Sequence, residues 1–371
     1  MRFETTGRDG TARSGKLIFE RGTVETPVFM PVGTNGAVKM CTRECVKQAG
    51  ATIVLANAFH LYLKPGLETL REFGGIHNFA SWDIPVLTDS GGFQIFSLSK
   101  NIRIDDDGAD FKSPFDGTIH RFTPEKVVEI QETIGSDIAM VLDECLAPTY
   151  DLESTKKSMK RTFKWAQRAI LSHKRKDQAL FGITQGGFFE ETRRESTIEI
   201  TSLPFDGFGI GGLSVGEDVD TTIKMLDVVL PLMPEDRPRY LMGVGDPLLM
   251  LEAIERGVDM MDCVLPTRMA RHGGILTSEG RINIRAAIYE MDKGPLDPSC
   301  NCEVCHNYSR GYIHHLIKRN ESTGMILATY HNIYFLIDLM KRSRSAIMNG
   351  EFKEFKEEVL SKMKYQKRRV L

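Results

Sequence analysis

Three apolar runs in this sequence each end at an aspartate: Val86-Leu87-Thr88-Asp89, Ala139-Met140-Val141-Leu142-Asp143 and Met260-Met261-Asp262. Most residues around these carboxylates are apolar or glycine, so the acids do not belong to an ordinary solvated surface. In a parallel barrel, strands that are distant in sequence end on one rim, where catalytic groups collect. The pattern therefore predicts an enzyme with acidic residues on a barrel rim.

Strand-like runs rich in Val, Ile, Leu, Met and Phe recur along the whole chain, and most precede a stretch of helical periodicity. We predict strands at 27–33, 52–57, 85–89, 138–143, 180–184, 207–211, 239–243 and 258–263. We predict helices at 42–49, 65–73, 123–134, 152–174, 190–201, 218–230 and 247–256. Strands that alternate with helices pair in parallel, and eight units favour an α/β fold of the (β/α)8 TIM-barrel type. The same alternation also permits an open doubly wound sheet.

Additional segments interrupt or flank this alternation. Residues 1–26 contain two glycine turns and predict an N-terminal antiparallel cap, and residues 100–121 predict a hairpin over the rim between the third and fourth units. Beyond the eighth strand, we predict helices at 332–348 and 350–364, the first of which closes the barrel. We interpret 1–371 as a single catalytic domain.

The composition is that of a folded globular protein, with 371 residues, 41% apolar content, 26% charged content and a net charge of −2. No apolar run approaches the roughly 20 residues that cross a bilayer, and the first residues lack the apolar core of a signal peptide. We therefore predict a cytoplasmic protein with no membrane contact. A polyanionic partner would be held by a local basic patch, since the overall charge offers no attraction.

Cys300, Cys302 and Cys305 lie so close in sequence that they suit a tetrahedral zinc ion and strain any disulfide. Such a site needs a fourth ligand, and His306 is too close to Cys305 to reach the same metal easily. The candidates that remain are the three later histidines, His314, His315 and His331. We expect one structural Zn²⁺ per chain, held in a zinc-binding subdomain at 286–335 near the C-terminus.

Glycine pairs follow several predicted strands, at Gly91-Gly92, Gly186-Gly187 and Gly211-Gly212. Glycine lets backbone amides approach a flat ligand closely. None of the clusters fits the G-x-G-x-x-G dinucleotide pattern or a phosphate loop that ends in Gly-Lys-Ser/Thr. We therefore expect a planar, polar ligand that is read by the backbone and by Asp143 and Gln185.

A basic segment follows directly after Asp262. Residues 266–285 contain one acid, Glu279, and five basic residues, Arg268, Arg271, His272, Arg281 and Arg285. A cationic segment beside a rim carboxylate suits a phosphate-bearing substrate.

Six motifs occur in an order that resembles the tRNA-guanine transglycosylases, also called queuine tRNA-ribosyltransferases, over nearly the whole chain. The motifs are Asp89-Ser90-Gly91-Gly92-Phe93-Gln94, Leu142-Asp143-Glu144-Cys145, Gln185-Gly186-Gly187, Gly211-Gly212-Leu213-Ser214-Val215-Gly216-Glu217, Asp262-Cys263-Val264-Leu265-Pro266-Thr267-Arg268 and the Cys300/Cys302/Cys305 cluster. The resemblance implies a pentosyltransferase that replaces guanine at the wobble position of GUN anticodons with a 7-deazaguanine base, in queuosine biosynthesis.

The resemblance also implies a role for individual residues. Asp262 is the nucleophile on the ribose C1′, and Asp89 is the general acid/base. The residues implied to bind the base are Ser90, Gly91, Gly92, Phe93, Asp143, Cys145, Gln185, Gly212 and Met242, with Phe93 and Met242 on either side of the ring. The residues implied to contact the anticodon loop of the tRNA are Gly243, Val244, Gly245, Asp246, Thr267, Arg268, Met269, Ala270 and Arg271. His331 matches the fourth zinc ligand, and the resemblance implies a homodimer.

Members of the family differ in the base that they insert. Cys145 in Asp-Glu-Cys resembles the bacterial pocket, which takes 7-aminomethyl-7-deazaguanine, and this is the reaction that we predict. The alternatives are a queuine-using enzyme and a non-catalytic tRNA-binding subunit of the same fold. A metal-dependent barrel hydrolase would need ligands such as His-X-His at the end of the first strand, which here reads Pro31-Val32-Gly33.

Overall fold

Eight parallel strands form a closed barrel in the computed structural model, which describes residues 1–98, 103–147 and 150–363. In chain order, barrel strands 1 to 8 are Val28–Gly33, Val54–Asn57, Val86–Asp89, Ile138–Met140, Ala179–Thr184, Gly207–Ile210, Arg239–Leu241 and Met260–Cys263. Strand 8 pairs with strand 1, with Met260 opposite Val28. Strands 1 and 5 are buried along their whole length, as expected where helices cover a parallel barrel. The predicted TIM barrel is confirmed, and its closure excludes the open sheet.

Helices follow the strands and cover the outside of the barrel. The α-helices are Arg43–Gln48, Ala58–Leu63, Leu67–Glu72, Ile76–Ala80, Gly92–Leu98, Pro124–Ile134, Leu152–Ser172, Glu190–Thr201, Val219–Val229, Pro247–Glu255, Leu265–Arg271, Glu303–Asn307, Arg310–Lys318, Ser322–Asn349 and Phe352–Lys362, and short 3-10 helices span Leu230–Leu232 and Ala287–Tyr289. Local signals fix their ends: Pro124–Ile134 begins after Thr123, which accepts a hydrogen bond from the Lys126 N–H, and ends at Gly135 with φ +74°. Among the described residues, no helix is long and apolar enough to cross a membrane.

The predicted N-terminal cap is a three-stranded antiparallel sheet of Arg2–Asp9, Ala12–Phe19 and Gly22–Thr26. From this sheet, Arg13 reaches Asp259, which immediately precedes strand 8, and the Nε–Oδ1 distance is 2.9 Å. The sheet therefore covers the N-terminal end of the barrel and leaves the opposite rim open.

The insertion after strand 3 forms a three-stranded antiparallel sheet, Arg103–Asp105, Gly108–Lys112 and Ile119–Phe122, where we predicted a hairpin. Residues 100–102 of that prediction lie outside the described residues. The third strand forms because Phe111 and Phe122 both pack on Phe59, with ring centroids 5.0 and 6.4 Å away.

One long helix, Ser322–Asn349, replaces the predicted helix at 332–348. It begins earlier because Gly324 allows a close approach to the preceding helix: a Cβ at this position would lie 2.6 Å from the Leu316 Cβ. The second predicted helix is present as Phe352–Lys362, and residue 364 lies outside the described residues. The 335 boundary predicted for the zinc-binding subdomain falls inside the long helix.

Candidate active site

The C-terminal rim of the barrel surrounds a cavity of about 480 Å³. Three acids that follow apolar runs of the sequence, Asp89, Asp143 and Asp262, all line it. They come from strands 3 and 8 and from the loop after strand 4, so the closure of the barrel brings together acids that are far apart in sequence. None of the three forms an ion pair with a described residue, which leaves their charges available to a ligand.

Asp262 is 9% exposed and accepts hydrogen bonds only from neutral groups. The Tyr240 hydroxyl and the Gly243 N–H both donate to Oδ1, at 2.6 and 2.9 Å. Burial raises the pKa of Asp262, while these two donors lower it. Because both donors bind the same oxygen, the carboxylate is held in one orientation, as a nucleophile requires.

Asp89 is oriented by the last residue of strand 2 and the first residue of the helix that follows it directly. The Asn57 Nδ2 donates to its Oδ2 at 2.6 Å, and the Ala58 N–H donates to its Oδ1 at 3.0 Å. Burial raises the pKa of Asp89 to about 7, the Ala58 N–H opposes this shift, and the negative charge of Asp262 adds to it. A carboxyl with this pKa can both give and take a proton near neutral pH.

Asp143 is fixed by Ser90, which lines the cavity with it, and by Gln185, which lies behind it and outside the cavity lining. The Ser90 hydroxyl donates to its Oδ1 at 3.2 Å, and the Gln185 Nε2 donates to its Oδ2 at 2.6 Å. Burial raises the pKa of Asp143 to about 6. Its position beside Gln185 suits the two-point recognition of a polar ring edge.

Glycines form the wall between these acids. A Cβ at Gly92 would lie 2.7 Å from the Asp143 carbonyl oxygen, so only glycine fits there. Gly212 has φ +63° and packs against Gln185. Glycine is therefore required at both positions by packing within the protein, against Asp143 and Gln185. Gly91, Gly92 and Gly212 all line the cavity.

Phe93, Met242 and Cys145 also line the cavity. Phe93 is 52% exposed, which is unusual for a phenylalanine and leaves one ring face free to stack on a ligand. Burial raises the pKa of Cys145 to about 12, so it remains a neutral thiol.

The basic segment forms the helix Leu265–Arg271 at the edge of the cavity. Arg268 lines the cavity with an exposed side chain, and Arg271 is half-buried. Thr267, Met269 and Ala270 are buried, so the exposed surface of this helix belongs mainly to its arginines.

The loop after strand 7 forms the adjacent part of the wall, which consists of Gly243, Val244, Gly245 and Asp246. Asp246 caps the helix Pro247–Glu255, because its carboxylate accepts the Leu248 N–H at 3.1 Å. The Val244 side chain is buried. This loop therefore presents mainly its backbone to the cavity.

A metal site is formed by residues that come later in the chain than these acids. Each of its four residues offers one ligand atom, and these atoms lie within 4.8 Å of one another: Cys300, Cys302, Cys305 and His331. His331 Nδ1 is 3.8, 3.4 and 3.3 Å from the three sulfurs, close to the ligand–ligand spacing of about 3.6 Å around tetrahedral zinc. The other ring nitrogen donates to the Leu276 carbonyl oxygen at 2.7 Å, which leaves Nδ1 free to bind the metal. Three thiolates and an imidazole form a structural zinc site, as predicted.

The residue after the zinc-binding histidine links the metal site to the basic helix. Asn332 Nδ2 donates to the carbonyl oxygens of Pro266 and Gly274, at 3.1 and 3.0 Å, and its Oδ1 accepts the Leu276 N–H at 2.9 Å. His314, another candidate for the site, has a different partner, because its Nδ1 lies 2.7 Å from the Ile284 carbonyl oxygen.

Sequence reasoning missed four residues that shape the site: Asn57, Tyr240, Arg193 and Glu217. Asn57 ends strand 2 as Asp89 ends strand 3, so the strand-end rule could have found it. Glu217 accepts the N–H groups of Ser214, Val215 and Gly216 and so shapes the loop after strand 6. For Tyr240 and Arg193 the sequence carries no signal, because a buried aromatic in a strand and an arginine in a helix are ordinary.

Comparison with known proteins agrees with this geometry. The sequence profile of the family described as queuine tRNA-ribosyltransferase matches residues 9–365. The queuine tRNA-ribosyltransferase of Thermosipho africanus is 50% identical over 361 residues, which cover 97% of this chain and 98% of that protein. The protein of the same name from Thermotoga maritima is 51% identical over 360 residues, with 97% of both chains covered. That from Halothermothrix orenii is 50% identical over 351 residues, with 95% and 94% covered.

Proposed function

The chain belongs to the queuine tRNA-ribosyltransferase family, and we propose that this pentosyltransferase replaces guanine at the wobble position of GUN anticodons with a 7-deazaguanine base through a covalent ribosyl intermediate on Asp262. The observation that carries the proposal is the cavity in which Asp89, Asp143 and Asp262 meet without a cationic partner among the described residues. Two carboxyl groups at a sugar carbon provide a nucleophile and a proton carrier.

In the first half of the reaction, an Asp262 carboxylate oxygen forms a bond to the ribose C1′ while the bond from C1′ to the guanine N9 breaks. The departing base takes the electron pair of that bond and a proton from Asp89, whose raised pKa of about 7 supports the acid form near neutral pH. The Tyr240 hydroxyl and the Gly243 N–H keep Asp262 in line for the attack.

In the second half, the incoming base gives its N9 proton to the Asp89 carboxylate, and N9 forms a bond to C1′. The bond from C1′ to Asp262 breaks and returns the electron pair to the carboxylate. Exchange instead of hydrolysis requires that water be kept from the intermediate until the new base arrives. Protons and charges balance over the two halves, so no co-reactant is needed.

The base would be recognised on the opposite wall. Asp143 can accept both the N1–H and the exocyclic amine of a guanine-like edge, and Gln185 holds it in place at 2.6 Å. Gly212 provides a backbone contact, and Phe93 and Met242 provide the ring faces. Ser90, Gly91 and Gly92 shape the floor.

We propose 7-aminomethyl-7-deazaguanine as the incoming base, with queuine as the alternative. Cys145 lines the cavity as a neutral thiol, which adds no positive charge that would repel a cationic aminomethyl group. Purified enzyme that inserted queuine faster than the aminomethyl base would reverse this choice.

The anticodon loop would lie across the rim, with Arg268 and Arg271 near phosphates and the wobble base turned out into the cavity. The single catalytic domain, the zinc-binding subdomain at 286–335 and the homodimer remain predictions of the sequence.

The experiment that tests the function is release of labelled guanine from tRNA, together with a covalent enzyme–tRNA adduct on denaturing gels. We expect both. A tRNA-binding subunit without activity would bind tRNA but release no guanine.

A further inference from the structure

A buried cation lies behind the wall of the active-site cavity and has no part in the proposed mechanism. Arg193 belongs to the helix Glu190–Thr201 and its side chain is fully buried. Among the described residues, no carboxylate lies within ion-pair distance of its guanidinium, and burial lowers its pKa to about 10. The more distant charge of Glu217 opposes this shift. A buried charge without a counter-ion in contact is costly, so its retention calls for an explanation other than packing.

The guanidinium donates hydrogen bonds to three backbone carbonyls, which belong to two loops. Its Nε donates to the Gly187 oxygen at 2.6 Å, Nη1 donates to the Gly211 oxygen at 2.7 Å, and Nη2 donates to the Gly212 oxygen at 2.9 Å. Gly187 follows strand 5, whereas Gly211 and Gly212 follow strand 6. One side chain thus fixes the two loops that carry Gln185 and Gly212.

These contacts determine the direction of two peptide groups. In a planar trans peptide, the N–H points away from the carbonyl of the preceding residue. Because the carbonyls of Gly211 and Gly212 point to Arg193, the N–H groups of Gly212 and Leu213 point to the opposite side. Gly212 and Leu213 both line the cavity, and the Gly212 N–H lies against the Cys145 thiol on the cavity wall.

Two successive N–H groups around a glycine with positive φ, such as Gly212 at +63°, form a small concavity that favours a partly negative oxygen. The guanidinium behind the peptides strengthens this preference, because it polarises both carbonyls away from the cavity. With its carbonyls directed inward instead, the same segment would favour a donor group.

We propose that Arg193 is a positioning residue that holds the N–H groups of Gly212 and Leu213 toward the six-position oxygen of the base, and so makes the pocket selective for 6-oxopurines. The inference rests on the proposed function, because it assumes that a guanine-like base occupies the cavity. Arg193 does not line the cavity, yet on this proposal it determines which bases the cavity binds.

The test compares the binding of guanine and 6-thioguanine to the full-length enzyme by calorimetry. The two bases share the N1–H and the 2-amine that Asp143 would bind, and differ in the strength of the acceptor at position six. We expect wild-type enzyme to prefer guanine by about tenfold, the value of one or two hydrogen bonds.

Two variants probe Arg193 itself. Arg193→Lys keeps the charge but cannot span three carbonyls, and Arg193→Met keeps much of the volume without the charge. We expect the guanine preference to fall to about twofold in both. The matched control is Arg194→Met, an exposed neighbour on the same helix, which should keep the wild-type preference.

Variants that bind both bases more weakly but keep the wild-type preference would overturn the proposal and leave Arg193 with a packing role. Should the variants not fold, a crystal structure of wild-type enzyme with guanine decides: a six-position oxygen farther than about 3.5 Å from both N–H groups overturns the proposal. Wild-type enzyme that releases no guanine from tRNA would instead refute the proposed function, so the two failures are distinguishable.

Discussion

A buried aspartate lies at each end of barrel strand 8, and the two differ in whether a cation neutralises them. At the N-terminal end, Asp259 binds Arg13 with both oxygens, at 2.9 and 2.5 Å, and also accepts the Arg239 N–H at 2.7 Å. At the C-terminal end, Asp262 accepts hydrogen bonds from a tyrosine and a backbone N–H alone. Arg13 thus neutralises the charge at one end of the strand, whereas no described residue forms an ion pair with Asp262 at the other.

The contrast extends to the cations. At the closed end, Arg13 forms an ion pair with Asp259. At the open rim, Arg268 and Arg271 form no ion pair with any described residue. The Arg13–Asp259 pair therefore serves the fold. The unpaired acid Asp262 and the two unpaired arginines of the open rim remain for a substrate, which in a tRNA carries phosphates and a reactive sugar.

The largest expected effect is at Asp262. Asp262→Asn keeps the shape and can still accept the Tyr240 hydroxyl, but an amide is a poor nucleophile. We expect guanine exchange to fall by at least about 10³-fold, the covalent tRNA adduct to disappear from denaturing gels, and the unfolding midpoint in urea to stay within error of wild type. An adduct that persists would assign the attack to another residue.

The matched change at the other end of the strand is Asp259→Asn. It leaves the buried Arg13 without its counter-ion, and we expect a loss of about 3 kcal/mol in the free energy of unfolding, measured by urea denaturation. Exchange activity per folded molecule should be unchanged. If this variant lost activity while it kept its stability, the division between the two ends would be wrong.

Asp89→Asn tests whether the open end weakens the fold. Folding raises the pKa of Asp89 from 3.8 to about 7, so its contribution to stability is present below about pH 4 and is lost as the pH rises through 7. We expect the stability of the variant to increase relative to that of wild type by on the order of 4 kcal/mol between pH 4 and pH 8. The control is Asp83→Asn, at an exposed carboxylate whose pKa is lowered by Lys47. The difference in the free energy of unfolding between this variant and wild type should not change between pH 5 and pH 8.

The strand-end acids were predictable from the sequence because a single rule, apolar run followed by carboxylate, places them on the rim. The same rule could have found Asn57, but an uncharged side chain drew no attention. Asp259 lies inside the predicted strand 258–263, and only its contact with Arg13, distant in sequence, shows that it belongs to the closed end.

Other features depend on tertiary contacts that leave no local pattern. The third strand of the inserted sheet forms on Phe59, and the long helix begins early because Gly324 packs on Leu316. Tyr240 and Arg193 look ordinary until the partners of their polar atoms are known. The acids of the rim were thus predictable, but the groups that hold them, such as Asn57 and Tyr240, were not.

The smallest expected effect concerns the cations of the open rim. Arg271→Ala should weaken tRNA binding several-fold at low salt and reduce the slope of log affinity against log salt by about one, because roughly one phosphate contact is lost. Arg13 offers no matched control, since its removal would unfold the closed end, so the control is Arg2→Ala, an exposed arginine of the N-terminal sheet, which should leave the slope unchanged. Filter binding between 50 and 200 mM salt gives both slopes. If Arg2 and Arg271 affected the slope equally, tRNA would contact both ends of the barrel, and the unpaired arginines of the open rim would not be reserved for it.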